Sequence, residues 1–191
     1  MLENVQHVFT HAFDNIVWLY TCHQPLYDEL KDKIKDITFI EGIPASLCDD
    51  QLLPPHKNNL LVIDDLMTEA SSNTQVQMAF TKFTHHRNLS VLYLVQNLFF
   101  QGKSCRTINL NANYMLLFKS PRDKQQIRVL ASQMFPGNVK YFMECFDDAT
   151  AKKYGFLLVD LKPQTPDDYR LRSGLFPWEW PAVYLVKKNK K

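Results

Sequence analysis

The chain lacks the marks of membrane, secreted and zinc-bound proteins. No apolar run in its 191 residues approaches the roughly 20 needed to span a bilayer. The opening Met1-Leu2-Glu3-Asn4 has neither the basic nor the apolar segment of a secretory signal. The four cysteines, Cys22, Cys48, Cys105 and Cys145, are widely spaced and form no Cys-x-x-Cys, which argues against a paired zinc-ligand pattern and for reduced thiols inside a cell. Low-complexity tracts and repeats are missing as well. So is an excess of one charge: 22 Lys and Arg face 20 Asp and Glu, and Lys187, Lys188, Lys190 and Lys191 fall in the last five positions. Without those four, eighteen basic residues face twenty acidic ones, a net charge of −2. A general basic surface gripping phosphates is not written into the composition, although a local basic loop stays open.

What is present suits one sizeable core: 46% of the residues are hydrophobic and 13% aromatic. Val5, Val8, Phe9 and Ala12 repeat at i, i+3, i+4, i+7, so Leu2 to Phe13 reads as an amphipathic helix. No capping residue precedes it, and the chain reads as entered in mid-element. Ile16 to Tyr20 is an apolar strand without polar alternation, as expected where both faces are covered. A helix over Pro25 to Lys35, a short strand at Thr38-Phe39-Ile40 and an irregular connection through Pro54-Pro55 follow. Leu60 to Ile63 is the next strand. Ser72 with Gln75 resembles a capping box for a helix over Asn73 to His86, and Leu89 to Val95 is a further strand. Tyr114 to Phe118 is a strand, and Ser120-Pro121-Arg122-Asp123 offers an N-cap and a first-turn proline to the helix bearing Ile127, Leu130, Ala131 and Met134. Val139, Phe142, Met143 and Phe146 mark one more helix, closed near Gly155, before a strand over Phe156 to Leu161. Strands alternating with helices predict an α/β fold: a mainly parallel sheet with helices on both faces, over a domain spanning 1–175, with 176–191 as an extension ending in the basic tail. In such sheets chemistry gathers at the carboxyl ends of the strands.

Three residue sets stand at those ends. Leu60-Leu61-Val62-Ile63 runs into Asp64-Asp65, the arrangement by which nucleotide-hydrolysing proteins orient Mg²⁺ with a first acid and polarise water with a second; a plain strand exit with solvated acids has the same pattern. Val91 to Val95 ends in Gln96, a neutral amide able to orient water or sense a terminal phosphate, or simply to begin a turn with Asn97. Arg106, in the connection that follows, reads either as a charge-stabilising arginine or as a loop charge. Gly102-Lys103-Ser104 mimics a phosphate-binding loop, but Asn97 stands where G-x-x-x-x-G-K-[ST] needs its first glycine. Leu98, Phe99 and Phe100 would crowd the loop, and the segment after Ser104 reads as loop and not as helix. No other stretch fits.

Lesser candidates complete the set. His85-His86-Arg87 fits a helix C-terminus. Asp160-Leu161-Lys162 has an acid-x-lysine spacing found in some nucleases. Trp178-Glu179-Trp180, between Pro177 and Pro181, reads as aromatic packing of the chain end or as an exposed partner-binding knob.

Taken in order, Leu60 through Met67, the strand closing on Gln96-Asn97-Leu98-Phe99, and Asn111 through Asp123 resemble the DNA-packaging ATPases of Maverick/Polinton elements and adintovirus-like viruses, of the FtsK/HerA group of P-loop ATPases. Ile16 to Tyr20, Gln24 to Tyr27 and Phe39 to Pro44 are similar to that family's early region, so the resemblance covers about residues 1 to 160. It implies a P-loop NTPase core, with Asp64 as the Mg²⁺-orienting acid, Asp65 as the water-activating acid, Gln96 as the sensor and Arg106 as an arginine finger. It further implies ATP as ligand, DNA and capsid proteins as partners, a homo-oligomeric ring, and residence within a cell, in the nucleus, a viral factory or a virion. The family's phosphate-binding loop and the strand before it, which should precede Leu2 to Phe13, are missing from these residues. The chain is therefore expected to be the portion of such an ATPase downstream of the loop, or a degenerate relative, without ATP hydrolysis of its own. The alternative is a non-enzymatic DNA- or protein-binding module derived from one.

Overall fold

The computed structural model describes residues 4–84, 87–102 and 104–186. The chain divides into two compact units, Met1–Asn111 and Ala112–Lys191.

In the first unit, β1 (Asn15–Tyr20), β2 (Ile37–Glu41), β3 (Asn59–Asp64) and β4 (Leu89–Leu94) form a parallel sheet in the order β2-β1-β3-β4. The central strands explain their own composition. Ile16, Trp18, Leu60 and Val62 point to one face, and Val17, Leu19, Leu61 and Ile63 to the other; all eight are buried. A strand covered on both sides has no solvent face for polar residues. Tyr27 and Leu30 of α2 (Pro25–Lys33) close the first face. Ala70 of α3 (Met67–Ala70), Val76 of α4 (Thr74–Met78), Phe80 of the π-helical segment Ala79–Phe83 and Ile108 of α5 (Cys105–Asn111) close the second. The unit is thus α/β, compatible with a Rossmann-like core. Fully buried Asn59 fixes the entry to β3: its Nδ2 donates to the carbonyls of Pro54 and Lys57, both at 2.8 Å, and its Oδ1 accepts from Asn15 Nδ2 at 2.9 Å.

Three expectations give way here. The helix expected over Leu2 to Phe13 is only α1, Val5–Val8, among the described residues. An uncapped helix this short has little to offset its nucleation cost, and residues 9–13 leave it. The helix expected over Asn73 to His86 is capped by Asn73, not Ser72: Asn73 Oδ1 accepts from the amides of Gln75 at 2.9 Å and Val76 at 3.2 Å, and the helix passes into π geometry after Met78. His85, His86 and Lys103 lie outside the described residues. The segment after Ser104, read as loop, is α5. Its apolar stripe, Cys105 and Ile108, spans a single turn, too little for periodicity to register.

The second unit overturns the reading of one mainly parallel sheet. Here β5 (Tyr114–Phe118), β6 (Phe156–Asp160), β7 (Leu171–Ser173) and β8 (Ala182–Val183) pair antiparallel in chain order. The strings YMLLF and FLLVD carry no direction in their patterning. The ten-residue connection 161–170 is also shorter than the dozen or so residues a parallel crossover requires. Two helices, α6 (Gln125–Met134) and α7 (Val139–Ala149), stand between β5 and β6, with Phe142, Phe146, Leu157 and Leu171 at the core. The start of α6 falls later than the expected proline: Asp123 Oδ1, not Ser120, accepts from the amides of Gln125 at 3.1 Å and Gln126 at 3.2 Å. Those bonds, led by one from the Gln126 side chain, hold the Asp123 carboxyl below its ordinary pKa. Position 175 lies between β7 and β8, and Ala182 of the expected extension pairs with Ser173.

Candidate functional site

The site is built on the carboxyl end of the parallel sheet. Three strands finish in register there, with Tyr20 opposite Asp64 and Asp64 opposite Leu94. The next residue of β1 is Thr21, of β3 Asp65, and β4 reaches Gln96 two residues past its end. Parallel pairing therefore brings 21, 64, 65 and 96 together although 75 positions separate the outermost two.

Asp65 is the most constrained of them. Its φ is +54°, in the left-handed region that aspartate enters more readily than most residues and that costs strain in a non-glycine residue. Two contacts hold it there. The Thr21 hydroxyl donates to the Asp65 carbonyl at 2.7 Å, and Gln96 Nε2 donates to Asp65 Oδ1 at 2.9 Å. Gln96 is itself steadied by its backbone amide, 3.3 Å from Met67 Sδ. Asp64, half-buried, accepts at Oδ2 from the Tyr27 hydroxyl at 3.0 Å. Tyr27 is buried among Trp18, Tyr20 and Phe39, stacked on Phe39 with ring centroids 5.1 Å apart. Burial, then the hydrogen bond to Asp64 and the charge of that carboxylate, push the phenol up to about 12, so Tyr27 is a persistent neutral donor.

Neither acid has a Lys or Arg partner among the described residues, and each leaves one carboxylate oxygen uncommitted. Two adjacent acids are a thin donor set for a cation. Mg²⁺ tolerates this, since it takes one or two carboxylates and completes its shell with water and substrate phosphate. Asp64 and Asp65 fit that role. Among the described residues no three His, Cys, Asp or Glu side chains converge to hold a metal. His7 and His11 stand four apart, but α1 ends at Val8 and gives them no common helical face. The crevice beside Gln96, lined by Met67, Tyr93 and Asn97, offers about 10 Å³, too little for a nucleotide.

Arg106 is not part of this cluster. It is exposed on α5 and has no ion-pair or hydrogen-bond partner among the described residues. The neighbouring Gly102 and Ser104 are bound into the unit's own packing. A Cβ on Gly102 would come within 2.6 Å of Ser71 Cβ, and buried Ser104 donates its amide to the Ser71 carbonyl at 3.0 Å. The acid-x-lysine pair of the second unit is also committed elsewhere: Asp160 Oδ2 is paired with Arg172, its Oδ1 accepts from the Lys162 amide at 3.0 Å, and the Lys162 ammonium sits 4.7 Å over the Tyr114 ring. Arg87 pairs with Asp50 at 2.8 Å and donates to the Cys48 carbonyl at 3.2 Å, a structural tie between distant segments. At the chain end Trp178 stacks on Phe176, whereas Trp180 is 93% exposed.

Thr21 and Tyr27 were not legible as site residues. Thr21 follows a strand at its carboxyl end, a position the sheet rule marks in general. Tyr27 reads as one more apolar helix residue, and nothing in its spacing points at Asp64.

Compared with family models, with curated proteins and with solved structures, the chain gives no match.

Proposed function

We propose that this chain is the portion of a viral-type genome-packaging ATPase downstream of the phosphate-binding loop, or a degenerate relative of one, and that it does not hydrolyse ATP by itself. One observation carries the reading: the Gln96 amide donates to Asp65 at 2.9 Å across the end of a parallel sheet, with Asp64 beside it. An acid that polarises water, steadied by a neutral amide able to sense what sits on the acid, is the local chemistry of nucleoside triphosphate hydrolysis. In this reading Asp64 would orient Mg²⁺ with the nucleotide's phosphates and Asp65 would polarise the attacking water, while the ion would supply charge neutralisation on the phosphoryl oxygens. Thr21 fixes the Asp65 backbone, and Tyr27 holds Asp64 through an uncharged contact that leaves its negative charge for the cation. Arg106, exposed and without a partner among the described residues, is available to a neighbouring subunit's nucleotide in a ring. No G-x-x-x-x-G-K-[ST] occurs in the 191 residues. Without loop amides and lysine the acids have little grip on phosphate.

The test is a fusion that places an apolar strand and a glycine-rich Gly-Lys-Thr loop before Met1, assayed beside the unmodified chain. The expected result is no turnover by the chain, and Mg²⁺-dependent turnover by the fusion that is lost in Asp65→Asn. A fusion that melts cooperatively yet binds no Mg-nucleotide overturns the reading. Turnover by the unmodified chain, lost in Asp65→Asn, overturns the statement that it is inactive alone.

A second reading, a non-enzymatic nucleic-acid-binding module, is favoured by a surface depression of the second unit lined by Lys119, Lys152 and Lys153.

A further inference from the structure

The second unit carries a depression of about 380 Å³ where the end of β5 meets the turn from α7 into β6, within the roughly 300–1,000 Å³ range of small-ligand sites. Phe118 and Lys119 form one wall, and Lys152, Lys153 and Tyr154 the other. Phe118 and Phe156 face each other in register with rings 5.6 Å apart, which ties the two walls to one strand pair.

Its chemistry is one-sided. Three lysines line it and no acid does. The nearest acids in sequence are turned to other partners: Asp123 accepts from the amides of Gln125 and Gln126, Asp147 pairs with Lys124 at 3.6 Å, and Asp148 accepts from the Tyr184 hydroxyl at 2.6 Å. Two aromatic rings stand open beside the lysines, Phe118 at 56% exposure and Tyr154 at 80%. The turn that presents Tyr154 is tightly built. Tyr154 has φ +63°, a conformation that bulky residues avoid, and a Cβ on Gly155 would lie 2.5 Å from the Ala149 carbonyl. The Lys153 ammonium lies 4.8 Å over the Tyr154 ring, so cation and aromatic face form one surface.

The plainer account is that these lysines offset the negative end of α7. That end amounts to about half an elementary charge, less than one lysine supplies. Two of its last four carbonyls are moreover already satisfied, Phe146 by the Thr150 amide and hydroxyl, and Asp148 by the Ala151 amide. Helix capping accounts for neither three full charges nor two uncovered rings.

We infer that this depression binds a nucleotide unit, with the lysines on its phosphate and its base stacked on Tyr154 or Phe118. The same chemistry is offered by a free mononucleotide and by an unpaired stretch of nucleic acid. Stacking on open rings beside a cationic groove is how single strands are held without sequence readout. The site uses none of Asp64, Asp65 and Gln96, so its failure leaves the hydrolytic reading standing, and the reverse holds too.

The experiment takes the full chain and two photoreactive probes, a 5-bromodeoxyuridine oligonucleotide and 8-azido-ATP, with crosslinks mapped by mass spectrometry and affinities measured across a salt series. Crosslinks to Phe118 or Tyr154 are expected. With the oligonucleotide alone they identify a strand as the source, and with 8-azido-ATP alone a free nucleotide. Tyr154→Ala should weaken binding about tenfold and Tyr154→Phe should restore it. For the oligonucleotide, the double substitution Lys152→Gln and Lys153→Gln should flatten the log-affinity against log-salt slope by about 1.4, and arginine at both positions should restore it. A control with glutamine at the four tail lysines should keep the crosslinks. The inference is overturned if neither probe crosslinks here. It is equally overturned if melting-competent Tyr154→Ala and Phe118→Ala bind unchanged while the lysine variants weaken, because attraction would then be electrostatic only.

Discussion

Asp64-Asp65 and Asp160 both stand where an apolar strand ends, one set in the parallel sheet and the other in the antiparallel one, and their surroundings differ. Asp64 and Asp65 accept from a phenol and an amide, both uncharged. Asp160, 3% exposed, is paired with the Arg172 guanidinium and accepts the Lys162 amide. A neutral donor orients a carboxylate and leaves its charge for a ligand, whereas a guanidinium neutralises it. The first arrangement is chemically available and the second is structural. Strand-end position alone, the same in both, does not distinguish them.

The largest way to break this comparison is Asp160→Ala. It leaves Arg172 half-buried without its anion, and we expect about 2–3 kcal/mol of lost stability in urea denaturation, below the full cost of a buried broken pair because Arg172 is partly solvated. Asp64→Ala should cost no more than about 1 kcal/mol, the worth of one hydrogen bond. A reversed order would mean that the acids of the parallel sheet are the structural ones.

Alkaline pH sharpens the same contrast through Tyr27. Its pKa rises from 10.0 to about 12 in the folded chain, so above pH 10 the unfolded state releases a proton that the folded state keeps. Stability contributed by this phenol is complete below pH 10 and declines as the pH climbs toward 12. Phenolate absorbance near 295 nm should show one late-titrating tyrosine lost in Tyr27→Phe. Titration of Tyr27 near 10 would remove the buried contact with Asp64. Other phenols titrate late too: burial raises Tyr93 of the first unit to about 12 and Tyr141 of the second well above its ordinary value, and burial with the hydrogen bond to Asp148 raises Tyr184 to about 12, so Tyr184→Phe is the matched control.

The smallest effect is expected of Asp65→Gly, a change of backbone freedom. At φ +54°, Asp65→Gly relieves strain and adds unfolded-chain entropy, so thermal unfolding should move by less than about 0.5 kcal/mol. Asp65→Val, β-branched in the same conformation, should cost about 1–2 kcal/mol. Equal melting of the two variants would mean that position 65 is not held in this geometry.

Much of the first unit was legible before any coordinates. Strands lacking polar alternation had to be covered twice, and acids and an amide at their carboxyl ends had to share one end of the sheet if the strands were parallel. The reading stopped where patterns lose information. The helix after Ser104 buries a stripe of only one turn, Cys105 and Ile108, too short for periodicity, a strand string such as FLLVD has no direction, and an arginine in a connection says nothing about what it faces.

Composition and periodicity determined the strands, the buried faces and the residues at their tips, because burial acts on each side chain through its own apolar area. Tertiary structure alone decided that Gln96 touches Asp65, that Tyr27 reaches Asp64, that Arg172 takes Asp160, and that three lysines and two rings share one hollow. Those contacts join positions far apart in the chain, and their energies depend on distance and solvent exclusion, which exist only once the chain has folded.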